Sequence, residues 1–272
     1  MQNTDNPAFE EYYGAIFGQR WAGLRESLLV PAQTIPYRDG LVKPYMMDRA
    51  SVLAALSLRL PLEGIILDAC AAPGGKSLVL ASLMEKGVRL LSNELSGDRR
   101  RRLTNVLDEH LESETRMRVT VSGFDAGAQG GKKGEWNRFD AILLDAPCSS
   151  ERHVIQSEKA LAQWTSGRPR SLASRQWSLL SAAFLLLKPG GSLVYATCAI
   201  SPEENDGPSG RLLEKYGQNA KIDEPDFSGG EFLPWRTPAE FQGEKTKYGT
   251  LILPDASGGA GPMYIARFRK AV

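Results

Sequence analysis

The chain has 272 residues, 42% of them hydrophobic, and its 33 basic side chains nearly balance 32 acidic ones. A chain of this size can bury a sizeable core, as one large α/β domain or two smaller ones. The balanced charge neither indicates nor excludes a polyanionic partner, which only the local distribution of charge could reveal.

Three cysteines are too few for a disulfide framework and favour free thiols in a reducing compartment. The polar, acidic start MQNTDNPAFEEYY lacks the pattern of a secretory signal, and no apolar run approaches the ~18 residues of a membrane span. We therefore predict a cytoplasmic protein that does not cross a membrane. His110 and His153 are too few and too far from the cysteines to indicate a metal site.

Helical periodicity opens the chain. Apolar residues at spacings of three and four predict a helix over Phe9–Leu28, and a second helix is expected near Met47–Leu60. We expect the proline-containing stretch between them to be a simple connection. Residues 1–60 are thus predicted to form a helical extension packed on a larger domain at 61–272.

Short apolar runs alternate with helical segments from residue 64 onward. Strands that are apolar on both faces and alternate with helices indicate a mostly parallel sheet, so we predict a doubly wound α/β fold with ligands at the carboxyl ends of its strands. A Gly-rich turn near the end predicts an antiparallel hairpin that closes the sheet edge. The predicted strands are GIILDAC, VRLLSNEL, RVTVSGF, FDAILLDA, GSLVYATC and PMYIARF. The predicted helices are Gly75–Lys86, Asp98–Leu111, Leu172–Leu187 and Glu203–Tyr216, and the predicted surface loops are GFDAGAQGGKKGEW and DEPDFSGGEF.

A glycine-rich turn joins a strand to a helix in ILDACAAPGGKS. Such a turn presents backbone N–H groups and a helix N-terminus to an anionic or polar ligand, although it can also be a plain connection. Its spacing is neither the GxxxxGK[ST] of a P-loop nor the GxGxxG of a dinucleotide fold.

Acidic residues mark the ends of four successive strands, at Asp68, Glu94, Asp125 and Asp145. Uncompensated carboxylates along one sheet edge would repel one another, so packing alone explains them poorly. Glu94 lies about 20 residues beyond the glycine turn, where a carboxylate can accept hydrogen bonds from both hydroxyls of a ribose. The pattern favours a nucleoside-bearing cofactor.

All three cysteines also stand at predicted strand ends, in LDAC, DAPC and ATC. A thiol there is either a small apolar filler or a nucleophile. The small apolar neighbours of Cys70 favour the filler, and for Cys148 and Cys198 the local pattern leaves both alternatives open.

Several segments together carry a family resemblance. They are DACAAPGGKS, SNELSGDR, DAILLDAPCSSERH and KPGGSLVYATCAISPEEND, with FGQRWAGLRESLL near the start and GPMYIARF near the end. On these segments the chain resembles the Nop/Sun family of S-adenosylmethionine (SAM)-dependent RNA (cytosine-5) methyltransferases, most of all the branch with the mitochondrial ribosomal-RNA enzyme. The resemblance implies a Rossmann-like class I methyltransferase domain at 61–272, with SAM as cofactor and RNA as substrate.

The chemistry of that family accounts for the residue types. C5 of cytosine is a poor nucleophile, and a thiolate that adds to C6 converts the ring into an enamine whose C5 can attack a sulfonium methyl group. A nearby acid that shares a proton with N3 or N4 lowers the barrier. The resemblance assigns the attack to Cys198, assistance in product release to Cys148, and orientation of the cytosine to Asp145. It implies SAM contacts from Cys70, Ala71, Ala72, Pro73, Gly74, Gly75, Lys76, Glu94, Arg99, Asp125 and Asp145.

Two basic segments are candidates for contact with RNA. DRRRRLTN places four arginines at a helix start, beside the positive end of the helix dipole, and we interpret Arg100 and Arg101 as a solvated face. In the second segment, arginines interleave with tryptophans as single-stranded RNA binding would require, although ordinary helix amphipathicity remains an equal alternative. Its residues are Trp164, Arg168, Arg170, Arg175 and Trp177. The reacting ring atoms are inaccessible in a stacked helix, so base flipping is implied.

The RNA target is the least defined part of this prediction. Many family members have DAPCSGxG where this chain continues CSSERHV, and we expect no separate RNA-binding domain of the kind that some relatives carry. We expect ribosomal RNA, with transfer RNA as the alternative, and leave open a protein partner that helps to select the site.

Three other classes fit the sequence less well. A DNA cytosine-5 methyltransferase would use the PC cysteine as nucleophile and carry a large recognition insertion. A nicotinamide-dependent oxidoreductase would need another glycine spacing. A non-catalytic SAM- or RNA-binding module would not need both thiols and Asp145.

Overall fold

The computed structural model describes residues 6–225, 227 and 243–272. The helices in this part of the chain are α1 Pro7–Phe17, α2 Trp21–Leu29, α3 Arg49–Leu56, α4 Gly75–Leu83, α5 Gly97–His110, α6 Ser113–Met117, α7 Ala126–Gln129, α8 Glu151–Ile155, α9 Glu158–Ala162, α10 Arg168–Leu186 and α11 Asp206–Tyr216. The strands are β1 Thr34–Tyr37, β2 Tyr45–Asp48, β3 Glu63–Asp68, β4 Gly87–Asn93, β5 Val119–Ser122, β6 Phe139–Asp145, β7 Leu187–Thr197, β8 Ala220–Ile222, β9 Gly243–Lys245, β10 Thr250–Ile252 and β11 Met263–Lys270.

Nine of these strands form one sheet in the order β5-β4-β3-β6-β7-β11-β10-β9, with β8 paired to the end of β11. The first five strands of that order run parallel, and β11 lies antiparallel to β7. After β3 the chain adds β4 and β5 on one side and later places β6 on the other. This reversal opens a crevice at the carboxyl ends of β3 and β6, where doubly wound sheets bind their ligands.

The predicted doubly wound architecture and antiparallel C-terminal hairpin are confirmed, and two details of the sheet differ. The hairpin of β10 and β11 does not close the sheet edge, because β9 pairs with the outer side of β10. The connection predicted after the first helix contains a second, two-stranded antiparallel sheet, formed by β1 and β2. Pro36 fits there because the strand needs no further ladder partner for its missing N–H.

Both helices predicted in the first sixty residues are shorter than expected. The helix predicted over residues 9–28 is divided into α1 and α2, because Gly18 has φ +56°, a left-handed conformation that ends α1. The second helix, α3, ends at Leu56 rather than at residue 60. Among the described residues, none of the helices combines the length and apolar character that a membrane crossing requires.

Side chains from the first sixty residues are part of both hydrophobic cores. On one face of the sheet, Phe9 and Tyr13 of α1 are fully buried in a cluster that includes Phe184 of α10. On the other face, Leu53 of α3 is fully buried with Leu78 of α4. Each such side chain contributes roughly 1.5–3 kcal/mol relative to exposure. The division of the chain at residue 60 stays a prediction.

The two predicted Gly-rich loops have different outcomes. GFDAGAQGGKKGEW contains the short helix α7, which Asp125 caps by accepting hydrogen bonds from the N–H groups of Gly127 at 3.0 Å and Ala128 at 3.3 Å. Most of DEPDFSGGEF, at positions 226 and 228–232, lies outside the described residues.

Candidate active site

Three neighbouring cavities lie along the carboxyl ends of the parallel strands. The first, of about 360 Å³, is bordered by the segments that follow β3, β4 and β5. The second, of about 220 Å³, borders the glycine turn, and the third, of about 420 Å³, borders the segments that follow β6 and β7. Cys70 lines both the first and the second cavity, and the second and third share Ser51, Lys76 and Asp145. The three cavities therefore form one row across the sheet edge.

The first cavity contains the acids predicted to contact a nucleoside. Glu94 follows β4 and is only 5% exposed, with Oε1 accepting a hydrogen bond from the Ser96 N–H at 2.9 Å. An Arg99 guanidinium nitrogen lies 3.4 Å from Glu94 Oε2, and Arg99 also donates to the Ala72 carbonyl at 2.8 Å. Asp125 also lines the first cavity. Arg99 thus links the acid after β4 to the glycine turn after β3.

The glycine turn borders the second cavity through Ala71, Ala72, Pro73 and Gly75. Gly74 differs from the other predicted cofactor contacts, because it lines none of the three cavities. With φ +124°, its missing side chain lets the turn pack on α5, where an added Cβ would lie 3.0 Å from Val106 Cγ1. Its position is explained by backbone conformation and packing.

Asp68 has a different environment from the other strand-end acids. It is fully buried at the end of β3 and accepts a hydrogen bond from the Ser77 hydroxyl at 2.7 Å. Burial is the main cause that raises its pKa to about 7. The repulsion expected among four charged carboxylates is therefore reduced, because Asp68 can keep its proton.

Lys76 and Asp145 form an ion pair on the wall that the second and third cavities share. The Lys76 Nζ donates to Asp145 Oδ2 at 2.7 Å and to the Ser51 hydroxyl at 2.6 Å. Burial would lower the Lys76 pKa, but the Asp145 carboxylate outweighs it, so the net pKa is raised and the ammonium is retained. The pair therefore places one positive and one negative group between the second and the third cavity.

Cys148 and Cys198 meet at the carboxyl ends of two adjacent parallel strands. Cys148 follows β6, Cys198 follows β7, and their Sγ atoms lie 2.9 Å apart. The hydrogen bond between them, together with burial, holds the pKa of Cys148 well above its ordinary value. The same hydrogen bond lowers the pKa of Cys198, against the opposing effect of burial. Cys198 is thus the thiol favoured as a thiolate, and it lines the third cavity.

The third cysteine, Cys70, does not line the third cavity, and its pKa is not lowered. Burial, aided by the nearby Asp68 carboxyl, raises the pKa of Cys70 to about 12. A thiol with so high a pKa is a poor nucleophile near neutral pH.

The structure adds several polar residues to the third cavity that the sequence did not single out. Ser150 Oγ lies 3.2 Å from Cys198 Sγ. Arg152 donates to the Gly259 carbonyl at 3.1 Å, while its Nε and Nη1 are buried without a hydrogen-bond partner. Asp48, His153 and Gln156 also line the space. For Ser150, Arg152, His153 and Gln156 the available signal was their position within or just after CSSERHV, whereas Asp48 lies far away in the sequence, at the end of β2.

The candidate RNA-binding residues separate into two groups. Trp164 is 3% exposed and packs edge-on against Phe9, with ring centroids 5.1 Å apart, so of the two alternatives for this segment its burial favours packing over RNA stacking. Trp177 is half-buried beneath the Arg211 guanidinium, 4.6 Å from its ring centroid. Arg168, Arg170 and Arg175 are exposed, and Arg175 borders the first cavity.

The arginines at the start of α5 also differ from one another. Arg100 is not part of a solvated face, because it donates to the Glu94 carbonyl at 2.9 Å and so fixes the segment after β4. Arg101 is exposed and pairs with Asp98 in the first turn. Within the described residues, no group of three or more His, Cys, Asp or Glu side chains is placed to hold a metal ion.

The sheet order, with its row of cavities at the carboxyl ends, defines a class I methyltransferase fold. Two solved structures share it. A methyltransferase homolog protein from Pyrococcus horikoshii superposes with a TM-score of 0.74 at 20% identity, covering 98% of this chain and 95% of that one. The structure of NSun6 from the same organism, solved with SFG, gives 0.67 at 24% identity, covering 86% and 54%.

Sequence comparison identifies the family. Residues 55–269 match the family model described as 16S rRNA methyltransferase RsmB/F, and the chain belongs to this family. Ribosomal RNA small subunit methyltransferase F from Aeromonas salmonicida is 38% identical over 209 residues, 75% of this chain and 42% of that protein. The 5-cytosine rRNA methyltransferase NSUN4 of Bos taurus is 34% identical over 238 residues, 84% and 60% respectively. These matches confirm the predicted resemblance, and the chain spans 42% to 60% of these two relatives.

Proposed function

We propose that the chain transfers a methyl group from SAM to C5 of a cytosine in RNA, through a transient covalent bond between Cys198 and C6. The observation that carries this proposal is the position of Cys198. Its sulfur borders the third cavity, whose wall shares Lys76 and Asp145 with the second cavity. A nucleobase in the third cavity and a methyl donor in the second would meet at this wall.

The row of first and second cavities fits a nucleoside joined to an amino acid. The buried Glu94 carboxylate suits ribose hydroxyls, because an ionised carboxylate only accepts hydrogen bonds. The glycine turn and Lys76 border the second cavity, where the charged amino-acid end would lie. SAM supplies an electrophilic methyl group when bound. NSun6 from Pyrococcus horikoshii was solved with SFG, a SAM analogue, which supports this choice of cofactor.

The protein's own groups suit the covalent route. Cys198 attacks C6 as a thiolate, which the hydrogen bond from the Cys148 thiol stabilises. Asp145, at the border of the third cavity, orients the cytosine through N3 or N4. After methyl transfer a base takes the C5 proton, the electrons of the C5–H bond restore the double bond between C5 and C6, and Cys198 leaves C6 as a thiolate. Cys148 assists this release, since its sulfur lies within reach of Cys198.

Ribosomal RNA is the preferred substrate. Both curated relatives described above carry names that specify ribosomal RNA. The exposed Arg168 and Arg170 offer positive charge for a phosphate backbone. Transfer RNA is the alternative, and a non-catalytic SAM-binding module is the alternative of another class.

Methyl transfer to defined RNAs tests the proposal. The purified chain is incubated with SAM and either small-subunit ribosomal RNA or a transfer RNA pool, followed by bisulfite sequencing, with Cys198→Ala as the control. We expect new 5-methylcytosine in ribosomal RNA with the wild-type chain only. Methylation of transfer RNA alone would refute the preferred substrate. SAM binding by calorimetry with no transfer to either RNA would favour the non-catalytic module.

A further inference from the structure

Ser150 combines a strained backbone with an unusual side-chain position. Its φ and ψ are +55° and +59°, a left-handed conformation that favours glycine, and among the described non-glycine residues it shares a positive φ only with Asn137. Asparagine tolerates this region because its side chain bonds locally, whereas serine is less suited to it. A strained backbone persists only where the surrounding structure holds it in place, and such residues cluster at active sites. Ser150 lies directly beside the two thiols.

The hydroxyl of Ser150 is not used as a helix cap. Ser150 occupies the N-cap position of α8, where a serine side chain ordinarily accepts a hydrogen bond from a backbone N–H of the first turn. No such bond is formed here. Its Oγ lies instead 3.2 Å from Cys198 Sγ, nearer than the Cys148 Sγ and Cys148 carbonyl oxygen, both at 3.5 Å. The single hydroxyl proton therefore has Cys198 as its nearest acceptor.

When Cys198 is a thiolate its sulfur can only accept hydrogen bonds, and it then has groups able to donate on two sides. The Cys148 thiol is one of them, at 2.9 Å. A thiolate accepts hydrogen bonds, and donors that face it favour the charged form. They oppose the nearby carboxyls of Asp145 and Glu151, which disfavour a negative charge on Cys198. Since Ser150 and Cys198 both line the third cavity, the donor and the sulfur face the same space.

We propose that Ser150 is a positioning residue, whose hydroxyl donates to the Cys198 thiolate and holds that sulfur toward the third cavity. A role for this contact in catalysis rests on the proposed function, in which Cys198 is the nucleophile. The hydrogen bond between Ser150 and Cys198 does not depend on that function. The left-handed backbone of Ser150 is the feature that places the hydroxyl beside the sulfur rather than at the start of α8.

Thiol alkylation tests this role without RNA or SAM. Iodoacetamide reacts with thiolates, so the rate of alkylation of Cys198 against pH, followed by peptide mass spectrometry, reports its thiolate fraction. In Ser150→Gly and Ser150→Ala we expect the midpoint for Cys198 to rise by about one pH unit, a tenfold smaller thiolate fraction below the midpoint. Ser150→Gly keeps the left-handed backbone accessible, so it remains informative if the alanine variant fails to fold.

Asn137→Gly is the matched control, because it changes the other positive-φ residue, which lies just before β6, at the opposite end of that strand from Cys148. We expect its alkylation profile to match the wild type. A Ser150→Gly profile that superimposes on the wild type, or an equal shift in Asn137→Gly, would overturn the role of Ser150. RNA methylation by the wild-type chain is measured in parallel. A shifted alkylation midpoint without RNA methylation would support the thiolate contact while rejecting the proposed function.

Discussion

Lys76 Nζ and Asp145 Oδ2 lie 2.7 Å apart on the wall shared by the second and third cavities. The lysine comes from the first turn of α4 and the aspartate from the end of β6, so the pair joins the two sides of the switch point in the sheet. Asp68 and Cys198 are close enough for their charges to raise the Lys76 pKa further. Lys76 is therefore the positive centre for several acidic groups.

Replacing Lys76 by Met tests this arrangement. Loss of the ammonium leaves Asp145 without its counter-charge, and because the pair is half-buried the cost should stay below the ~3 kcal/mol of breaking a fully buried pair. We expect methyl transfer to fall at least about tenfold, because both cavities lose the positive charge. Chemical denaturation and single-turnover methylation measure the two effects.

Lys188→Met is the matched control. Lys188 pairs with Asp140 at 2.8 Å, but its side chain is 41% exposed and lies outside the three cavities. Exposed pairs contribute about 0–1 kcal/mol, so stability and methyl transfer should change little. Equal losses in the two variants would contradict a specific role for Lys76.

Alanine variants of the two thiols are expected to differ in whether a covalent RNA adduct accumulates. Replacing Cys148 by Ala removes the group that assists release, so we expect a covalent RNA adduct that survives a denaturing gel. Replacing Cys198 by Ala removes the nucleophile, so methylation should be lost without an adduct while SAM binding is retained. An adduct in Cys198→Ala, rather than in Cys148→Ala, would reverse the assignment.

Trp164 is predicted to stabilise the fold rather than to bind RNA. It packs with Phe9, Tyr12 and Tyr13 of α1, so Trp164→Ala should destabilise the chain by about 3–5 kcal/mol. The exposed Trp136 is the control, and Trp136→Ala should cost less than about 1 kcal/mol. Thermal unfolding of the two variants measures both losses of stability. Unchanged stability with weaker RNA binding in Trp164→Ala would instead favour the RNA-stacking alternative.

The sequence predicts the strands and the cysteines at their ends because these depend on local alternation and on topology rules. It does not reveal the burial of Trp164, which depends on α1 packing against a segment far along the chain. The hairpin of β1 and β2 was missed because the prolines beside and within it indicate breaks in regular structure. The left-handed backbone of Ser150 could not be predicted either, because serine, unlike glycine, does not indicate a positive φ.

A pair of buried acids supports the segments that carry the two thiols. Ser149 Oγ contacts both Glu151 Oε1 and Glu204 Oε1. A hydroxyl has one proton to donate, so at least one of the carboxyls must hold a proton of its own to make the second hydrogen bond. Glu151 also accepts from the Ile200 N–H at 3.1 Å, two residues beyond Cys198, and Glu204 accepts from the Ser149 N–H at 2.9 Å, one residue beyond Cys148.

This shared proton predicts a pH dependence of stability. Burial, and then the neighbouring Glu151, raises the pKa of Glu204 from 4.5 to about 7. Between these values the folded chain binds more protons than the unfolded chain, so the free energy of unfolding falls as pH rises, by up to about 1.4 kcal/mol per pH unit for one proton. Urea denaturation between these pH values measures the slope. Glu204→Gln keeps the shape of the protonated acid and should flatten it.

The slope should not vanish in Glu204→Gln, because burial also raises the pKa of Asp68 to about 7 and gives a contribution of the same sign. Glu158→Gln, on the exposed surface of α9, is the control and should keep the wild-type slope. If Glu204→Gln retains the full slope, the titrating proton does not reside on Glu204. If stability instead rises between pH 4.5 and about 7, Glu204 is ionised in the fold and the raised pKa assigned to it is wrong.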